Sequence, residues 1–122
     1  QIVQTLQDDD FAVILHNCGN TGQCTQAMVE SGAAALHFGN AIDMVSALQE
    51  CPSSLLVMGN IDPVGIMKQA SPEVVRKETL ALLEATASCR NFVLSTGCDV
   101  PPQVSQENIA AFFQALDEFN SL

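Results

Sequence analysis

Two short stretches of this chain carry residue types that bind soft metal ions, and they lie eighty residues apart. The first, ILHNCGNT, contains His16 and Cys18, and the second, LSTGCDVP, contains Cys98. In each stretch an apolar run ends in a glycine turn, which is the pattern of a strand that continues into a loop. Thiolate sulfur and imidazole nitrogen are the ligands that zinc prefers. The sequence therefore predicts a soft-metal site where two strand ends meet at one edge of a sheet.

The number of ligands indicates the kind of site. A structural zinc ion is held by four protein ligands, whereas a catalytic zinc ion has three and keeps one position open. His16, Cys18 and Cys98 supply three. A thiol substrate at the open position would lose its proton and become a nucleophile near neutral pH. Spacing alone leaves a second interpretation open, in which His16 and Cys18 are merely a packed or hydrogen-bonded pair.

The other three cysteines have a simpler interpretation. Cys24, Cys51 and Cys89 lie within or just after helical segments, among Ala, Met and Leu residues. In such surroundings cysteine usually acts as a small buried hydrophobe, so we assign these three to the core. The total of five cysteines is odd, and their spacing does not resemble the disulfide framework of a small secreted protein. A reduced, cytoplasmic protein is expected.

Four apolar runs of strand length alternate with helical segments along the chain. The predicted strands are residues 11–15, 34–38, 55–58 and 92–95, and the predicted helices are 23–31, 43–50, 72–87 and a last one after Ser105. Ser71 and Pro72 form an N-cap and first helical position, and Ser105 can cap the last helix. In that helix an apolar face is predicted at positions i, i+3, i+4 and i+7, which are Ile109, Phe112, Phe113 and Leu116.

The order of these elements predicts a parallel α/β fold. The strands are continuous apolar runs rather than alternating ones, as expected for parallel strands buried on both faces. The 122 residues suffice for one domain, which we assign to 1–122 as a (β/α)₄ unit. Such a unit is half of a (β/α)₈ barrel or a small open sheet, and the pattern alone does not distinguish the two. In both, chemistry is expected in the loops after the strands.

Composition excludes several classes of function. Fourteen acidic and four basic residues give a net charge of −10, which repels nucleic acid and anionic lipid. No apolar run approaches the roughly 20 residues of a membrane span, and the start QIVQTLQDDD lacks the features of a secretory signal. Because the sequence starts without methionine, we expect the numbering to begin inside a longer chain, although a processed or tagged chain would look the same. Signature motifs of nucleotide binding, serine hydrolysis and zincin proteolysis are missing.

Four motifs carry a resemblance to a known family. HNCGNT, GNIDP, LSTGCDVPP and ENIAAF resemble the C-terminal half of the uroporphyrinogen decarboxylase superfamily, over about Phe11 to Phe119. Within it the chain is most similar to the zinc-dependent methylcobamide:coenzyme M methyltransferases and related corrinoid methyltransferases, whose signature is His-X-Cys followed far downstream by Cys. The resemblance implies that the chain is the C-terminal half of a TIM (β/α)₈ barrel and a fragment of a longer enzyme.

The resemblance also implies a reaction and its participants. Zinc would be held by His16, Cys18 and Cys98, and a thiol such as coenzyme M would attack a methyl group on a corrinoid. The partners would be a methylcobamide or a corrinoid protein and a small thiol. Asn60 and Asp62 of GNIDP would line the mouth of the active site, or would only shape the turn before Pro63 through side-chain bonds to the backbone.

Three further residues lie in or just after the predicted strands near the site. Asp99 follows Cys98 and is expected to be a solvated loop carboxylate rather than a hydrogen-bond partner of a ligand. His37 lies inside the second predicted strand, where a histidine is usually a satisfied core or interface residue. Asn40 occupies the second loop, where relatives of this branch are expected to be more acidic, and this difference leaves the substrate open.

Two alternative functions remain beside the methyltransferase. One is an enzyme like uroporphyrinogen decarboxylase, although true decarboxylases, as the resemblance implies, lack His-X-Cys and carry histidine in place of Cys98. The other is a catalytically inactive half-barrel that acts as an assembly module, and the isolated fragment is expected to be inactive in any case. A free parallel unit has two open edges, so we also expect it to form a homodimer.

Overall fold

The chain folds as a short helix followed by four strand–helix units. The structure is a computed structural model that describes residues 1–20 and 22–121, so Thr21 at the end of the HNCGNT motif and Leu122 lie outside the described residues. Helix α1 comes first, and a short 3₁₀ turn precedes α2. The elements are α1 (Ile2–Leu6), β1 (Ile14–Asn17), α2 (Thr25–Glu30), β2 (Ala35–Phe38), α3 (Met44–Glu50), β3 (Leu56–Ile61), α4 (Pro72–Thr86), β4 (Phe92–Thr96) and α5 (Gln106–Asn120).

The strand order identifies the sheet as part of a barrel. All neighbouring strands are parallel, and their spatial order is β1-β2-β3-β4, the same as their order in the chain. A doubly wound open sheet reverses its strand order at a switch point, and no reversal occurs among the described strands. The (β/α)₄ prediction is therefore confirmed, and the choice that the sequence left open is decided in favour of a barrel segment.

The two faces of the sheet differ in what covers them. One row across the strands, formed by Leu15, Leu36, Val57 and Phe92, packs against the helices in the main core. On the opposite face Ile14 and Leu56 are about half exposed, at 55% and 47%. Ile14 and Leu56 are thus less buried than the row on the helical face, as expected for one arc of a barrel.

The first strand begins later than predicted. The prediction was residues 11–15, but pairing with β2 covers Ile14–Asn17. The reason is the preceding turn, because the carboxylate of Asp8 accepts hydrogen bonds from the backbone N–H groups of Asp10 and Phe11. Phe11 is 56% exposed as a result. His16 therefore lies within the strand rather than in the loop after it.

The third strand is longer than predicted, and the apolar face of the last helix is rotated. Strand β3 continues through Ile61, which pairs with Thr96, so the first three residues of GNIDP are strand rather than loop. In α5 the buried residues are Asn108, Ala111, Phe112 and Ala115, while Ile109 and Phe113 of the predicted face are exposed. The small alanines permit close packing on α4, and the Asn108 amide donates to the carbonyls of Met67 and Ala70. The buried face is therefore shifted by one residue from the predicted one: Phe112 is buried and Leu116 half-buried as predicted, and the prediction is wrong for Ile109 and Phe113.

Two local features test the smaller predictions. Ser105 caps α5 by accepting a hydrogen bond from the backbone of Asn108, as predicted, whereas Ser71 at the start of α4 makes no side-chain capping bond. Cys51 is buried and Cys89 is half-buried, in agreement with the core assignment. Cys24 is exposed, so that assignment was wrong for this cysteine, because it lies at the solvent side of the 3₁₀ turn before α2.

Across the described residues, no helix combines the length and apolarity needed to cross a membrane.

Candidate metal centre

The three predicted ligands meet in one place. His16 lies in β1, Cys18 in the loop that follows it, and Cys98 in the loop after β4. One potential ligand atom from each lies within 4.8 Å of the other two. Strands β1 and β4 are separated by two others, and at about 4.8 Å per strand a flat sheet would keep them about 14 Å apart. The loops after these strands must therefore converge over the edge of the curved sheet.

Close backbone packing brings the two ligand loops together. The loop after β2 lies between them and contacts both. A Cβ atom on Gly39 would lie 3.1 Å from the backbone nitrogen of Gly19 and 3.5 Å from Cα of Cys18. A Cβ atom on Gly97 would overlap the backbone nitrogen of Asn40 and lie 3.0 Å from its Cα. The absence of side chains at Gly39 and Gly97 therefore permits the short path between the two cysteine loops.

The sulfur atoms have a separation that suits a shared metal ion. The Cys18 thiol donates to Cys98 Sγ at 3.8 Å, and both cysteines are free. Two thiolates on a tetrahedral zinc ion, with zinc–sulfur bonds of about 2.3 Å, lie about 3.8 Å apart. The hydrogen bond with Cys98, together with repulsion between the two thiolates, raises the pKa of the exposed Cys18 thiol. A cation between the sulfurs would remove this repulsion, so the residues present fit the ion.

The imidazole of His16 is oriented by the neighbouring strand. Its Nδ1 lies 3.2 Å from the backbone carbonyl of His37. A carbonyl oxygen only accepts, so Nδ1 carries the proton and Nε2 keeps a free lone pair. Metal-ligating histidines usually donate their second ring N–H in this way, because the bond sets the tautomer and the ring direction. His16 is thus prepared to offer Nε2 to a metal.

His37 lies beside the candidate centre without supplying a ligand atom to the cluster, in agreement with the core or interface role expected from the sequence. It is directly opposite His16 in the β1–β2 register, and the two rings have centroids 4.6 Å apart and tilted by 37°. Its Nε2 donates to the carbonyl of Thr96 at 2.7 Å, which satisfies the ring as expected. The missed signal for the contact between the two rings was the register, because His16 and His37 occupy equivalent positions at the ends of adjacent parallel strands.

Asn60 and Asp62 make backbone bonds that shape the neighbouring loops. The Asn60 amide donates to the carbonyls of Gly39 and Ile42, at 3.0 and 2.6 Å. The Asp62 carboxylate accepts from the backbone N–H groups that follow Pro63, at 2.8 and 2.9 Å. Both residues also line an open cavity of about 340 Å³. The turn-forming interpretation therefore describes bonds that are present, and contact with a substrate stays a prediction.

The surroundings of the three ligands are otherwise solvent-accessible. Asp99 is exposed, in agreement with a solvated loop carboxylate. His16 and Cys18 are exposed and Cys98 is half-buried. The candidate centre is therefore exposed to solvent, so a fourth ligand has access.

Comparison with known proteins places the chain in a family. The sequence profile described as "Uroporphyrinogen decarboxylase (URO-D)" matches residues 1–119. The chain belongs to the uroporphyrinogen decarboxylase (URO-D) family. This confirms the resemblance that the four motifs carry.

Both named activities of the family occur among the relatives. A uroporphyrinogen decarboxylase from Methylococcus capsulatus is 32% identical over 99 residues, which cover 81% of this chain and 28% of the relative. A methylcobamide:CoM methyltransferase, MtbA, from Methanosarcina mazei is 28% identical over 109 residues, which cover 89% and 31%. The chain thus spans about a third of the length of the curated relatives it matches.

A solved structure shares the fold. The match is a methyltransferase from Methanosarcina mazei, with a TM-score of 0.79 and 23% sequence identity over 89% of this chain and 32% of that protein. At this identity the match concerns the fold alone. It agrees with the barrel segment inferred from the strand order.

Proposed function

We propose that this chain supplies the zinc-binding part of the active site of a corrinoid methyltransferase, which transfers a methyl group from a methylated cobamide to a thiol such as coenzyme M. One observation carries the proposal. Although His16 and Cys18 belong to the first strand and its loop and Cys98 follows the last strand, their ligand atoms lie within 4.8 Å of one another. The donor set of one imidazole and two sulfurs is that of a catalytic zinc site with three protein ligands.

The chain's own residues define what such a site would do. Bound zinc would supply Lewis acidity that favours the thiolate form of a thiol substrate. Cys18 and Cys98 would be thiolates in that state, and the bond from His16 to the β2 backbone would keep Nε2 directed at the ion. The open side of the centre admits the thiol and, beyond it, the methyl donor. Asn60 and Asp62 are proposed to line the mouth of the active site, because they lie at and just after the end of β3, between the strands that precede the ligand loops.

The proposed partners follow from the same chemistry. The donor is a methylcobamide or the corrinoid protein that carries it, and the acceptor is a small thiol. The relatives named methylcobamide:CoM methyltransferase support this choice at 26–28% identity. Free thiols at all five cysteines are in keeping with a proposed cytoplasmic location, where thiols stay reduced.

Metal content measured by mass spectrometry tests the zinc site. We expect about one zinc per chain in the wild type and a strong loss in His16→Ala and Cys98→Ala, because each variant leaves only two ligands. Cys24→Ser is the matched control, since Cys24 is an exposed thiol outside the cluster. Unchanged zinc in both ligand variants would remove the proposed site.

Porphyrinogen decarboxylation is the second candidate function. It is favoured by the decarboxylase relative from Methylococcus capsulatus, whose identity of 32% exceeds that of the methyltransferases. The sulfur cluster argues for the methyltransferase, because decarboxylation has no evident use for two converging thiols. Assays of a chain as long as the relatives, with methylcobalamin and a thiol or with a porphyrinogen, distinguish the two by product.

A further inference from the structure

We infer that His37 is a positioning residue for the metal centre, whose side chain connects the His16 strand to the Cys98 loop. This inference rests on the proposed zinc site. It assigns a role in the site to a histidine that does not itself supply a ligand atom to the cluster.

The contacts of the imidazole form a continuous path between the ligands. Its ring lies against the ring of His16, with centroids 4.6 Å apart. Its Nε2 donates to the carbonyl of Thr96 at 2.7 Å, and the Thr96 hydroxyl donates to the carbonyl of Cys98 at 2.7 Å. These three contacts join the imidazole ligand in β1 to the sulfur ligand that follows β4.

The path crosses the sheet rather than following it. His37 is in β2, and Thr96 is in β4, so the side chain reaches across β3 on the face that carries no helices. The bond therefore resists separation of the two strand ends that carry the ligands. Ordinary ladder bonds join only adjacent strands and cannot provide a direct connection of this kind.

The backbone and the side chain of His37 make separate contacts. The backbone carbonyl accepts the proton of His16 Nδ1 and remains in every substitution. Only the side chain supplies the ring contact and the bond to Thr96. Replacement of the side chain thus tests the connection without removing the bond that orients His16.

Cobalt titration of the purified chain tests the inference, with Co²⁺ as the spectroscopic probe. His37→Phe keeps a ring beside His16 but lacks the donor to Thr96, so we expect Co²⁺ affinity to fall by about 10- to 100-fold, with altered thiolate-to-cobalt absorption. His37→Gln carries an N–H at a similar distance from the backbone. This variant should recover most of the Co²⁺ affinity and of the wild-type absorption spectrum. Met58→Leu is the matched control, because Met58 pairs with His37 on the same face.

The outcomes separate the inference from the proposed function. Wild-type affinity and spectrum in His37→Phe would overturn the role of His37 while leaving the zinc site intact. Equal losses in the Phe and Gln variants, matched by equal losses in melting temperature, would likewise overturn it in favour of general packing. If the wild type binds neither Co²⁺ nor Zn²⁺, the proposed function itself fails.

A measurement without metal provides an independent check. In ¹⁵N NMR spectra of the metal-free chain, His37 should be the Nε2–H tautomer and His16 the Nδ1–H tautomer, because each N–H points at a carbonyl. An Nδ1–H tautomer at His37 would contradict the bond to Thr96 whether or not the chain binds a metal.

Discussion

At the scale of single residues, the candidate centre depends on glycines, which have no side chain, as much as on the ligands. His16, Cys18 and Cys98 supply the donor atoms, but their meeting requires that no side chain intervene between the loops. Gly97 immediately precedes Cys98, and its Cα faces the backbone of Asn40 in the intervening loop. Gly97 thus supplies no ligand atom, but its lack of a side chain permits the approach of the Cys98 loop to the loop after β2.

Substitution of Gly97 tests this dependence. In Gly97→Ala the added methyl group would overlap the backbone of Asn40, so we expect a loss of about 1–3 kcal/mol in the free energy of unfolding. Cys98 should also move away from Cys18, with lower zinc content. Gly22→Ala is the control, because its Cβ would meet only the end of the Ile42 side chain at 3.9 Å. Equal stability and zinc content in both variants would contradict the argument. Urea unfolding and metal analysis measure the two effects.

At the scale of secondary structure, local signals act mainly through helix ends. Asp43 caps α3, because its carboxylate accepts a hydrogen bond from the backbone of Ser46 at 2.8 Å. This helix packs Met44, Ala47 and Leu48 into the core beside β2 and β3. A weaker cap would therefore loosen the helix that supports the strands next to the site.

The contribution of Asp43 is expected to depend on pH. Hydrogen bonds from the Ser46 side chain and backbone lower the pKa of Asp43, so its stabilising effect is complete above the unfolded pKa of about 3.9. The effect is lost as the pH falls through the lower pKa of the folded state. Asp43→Ala should cost about 1 kcal/mol at pH 7 and progressively less in acid, as measured by urea unfolding. Asp43→Asn keeps an uncharged cap and should lack this pH dependence. A constant difference between wild type and Asp43→Ala down to pH 2 would contradict it.

The boundaries of the strands and helices show which features local sequence patterns can predict. Caps and apolar periodicity predicted all four strand–helix units, because these features depend on neighbouring residues in the chain. The first strand was misplaced because the carboxylate of Asp8 extends the turn through Phe11. The buried face of α5 was misassigned because Asn108 is needed inside to bind two carbonyls. Both errors arise where a polar side chain satisfies the backbone in place of regular structure.

At the scale of the whole molecule, the sheet has one face without helices. Ile14 and Leu56 lie in the same row across this face, separated by Ala35, and are about half exposed. In a closed barrel such a face is covered by the remaining strands. In an isolated chain Ile14 and Leu56 stay partly open to water, which supports the predicted homodimer as a means of covering them.

Light scattering coupled to size-exclusion chromatography tests this association. We expect the isolated chain to have twice the mass of one copy at physiological salt, and the double variant Ile14→Lys/Leu56→Lys to be monomeric, because the added charges must stay in water. Ile2→Lys is the control, since Ile2 is a 73% exposed apolar residue on α1, outside the sheet. A monomeric wild type would eliminate the homodimer.

Residue types and local patterns specify the elements of this protein, whereas the packing of the sheet sets which residues come into contact. Apolar runs, caps and glycine turns are local, so they identified the order of elements and the residue types of a soft-metal site. Contact between Cys18 and Cys98 depends on the strand order and the curvature of the sheet. The bridge from His37 to Thr96 depends in addition on the register of strands that are not neighbours in the chain. Such contacts arise from the packing of the whole sheet, because no local hydrogen bond or apolar period extends over eighty residues.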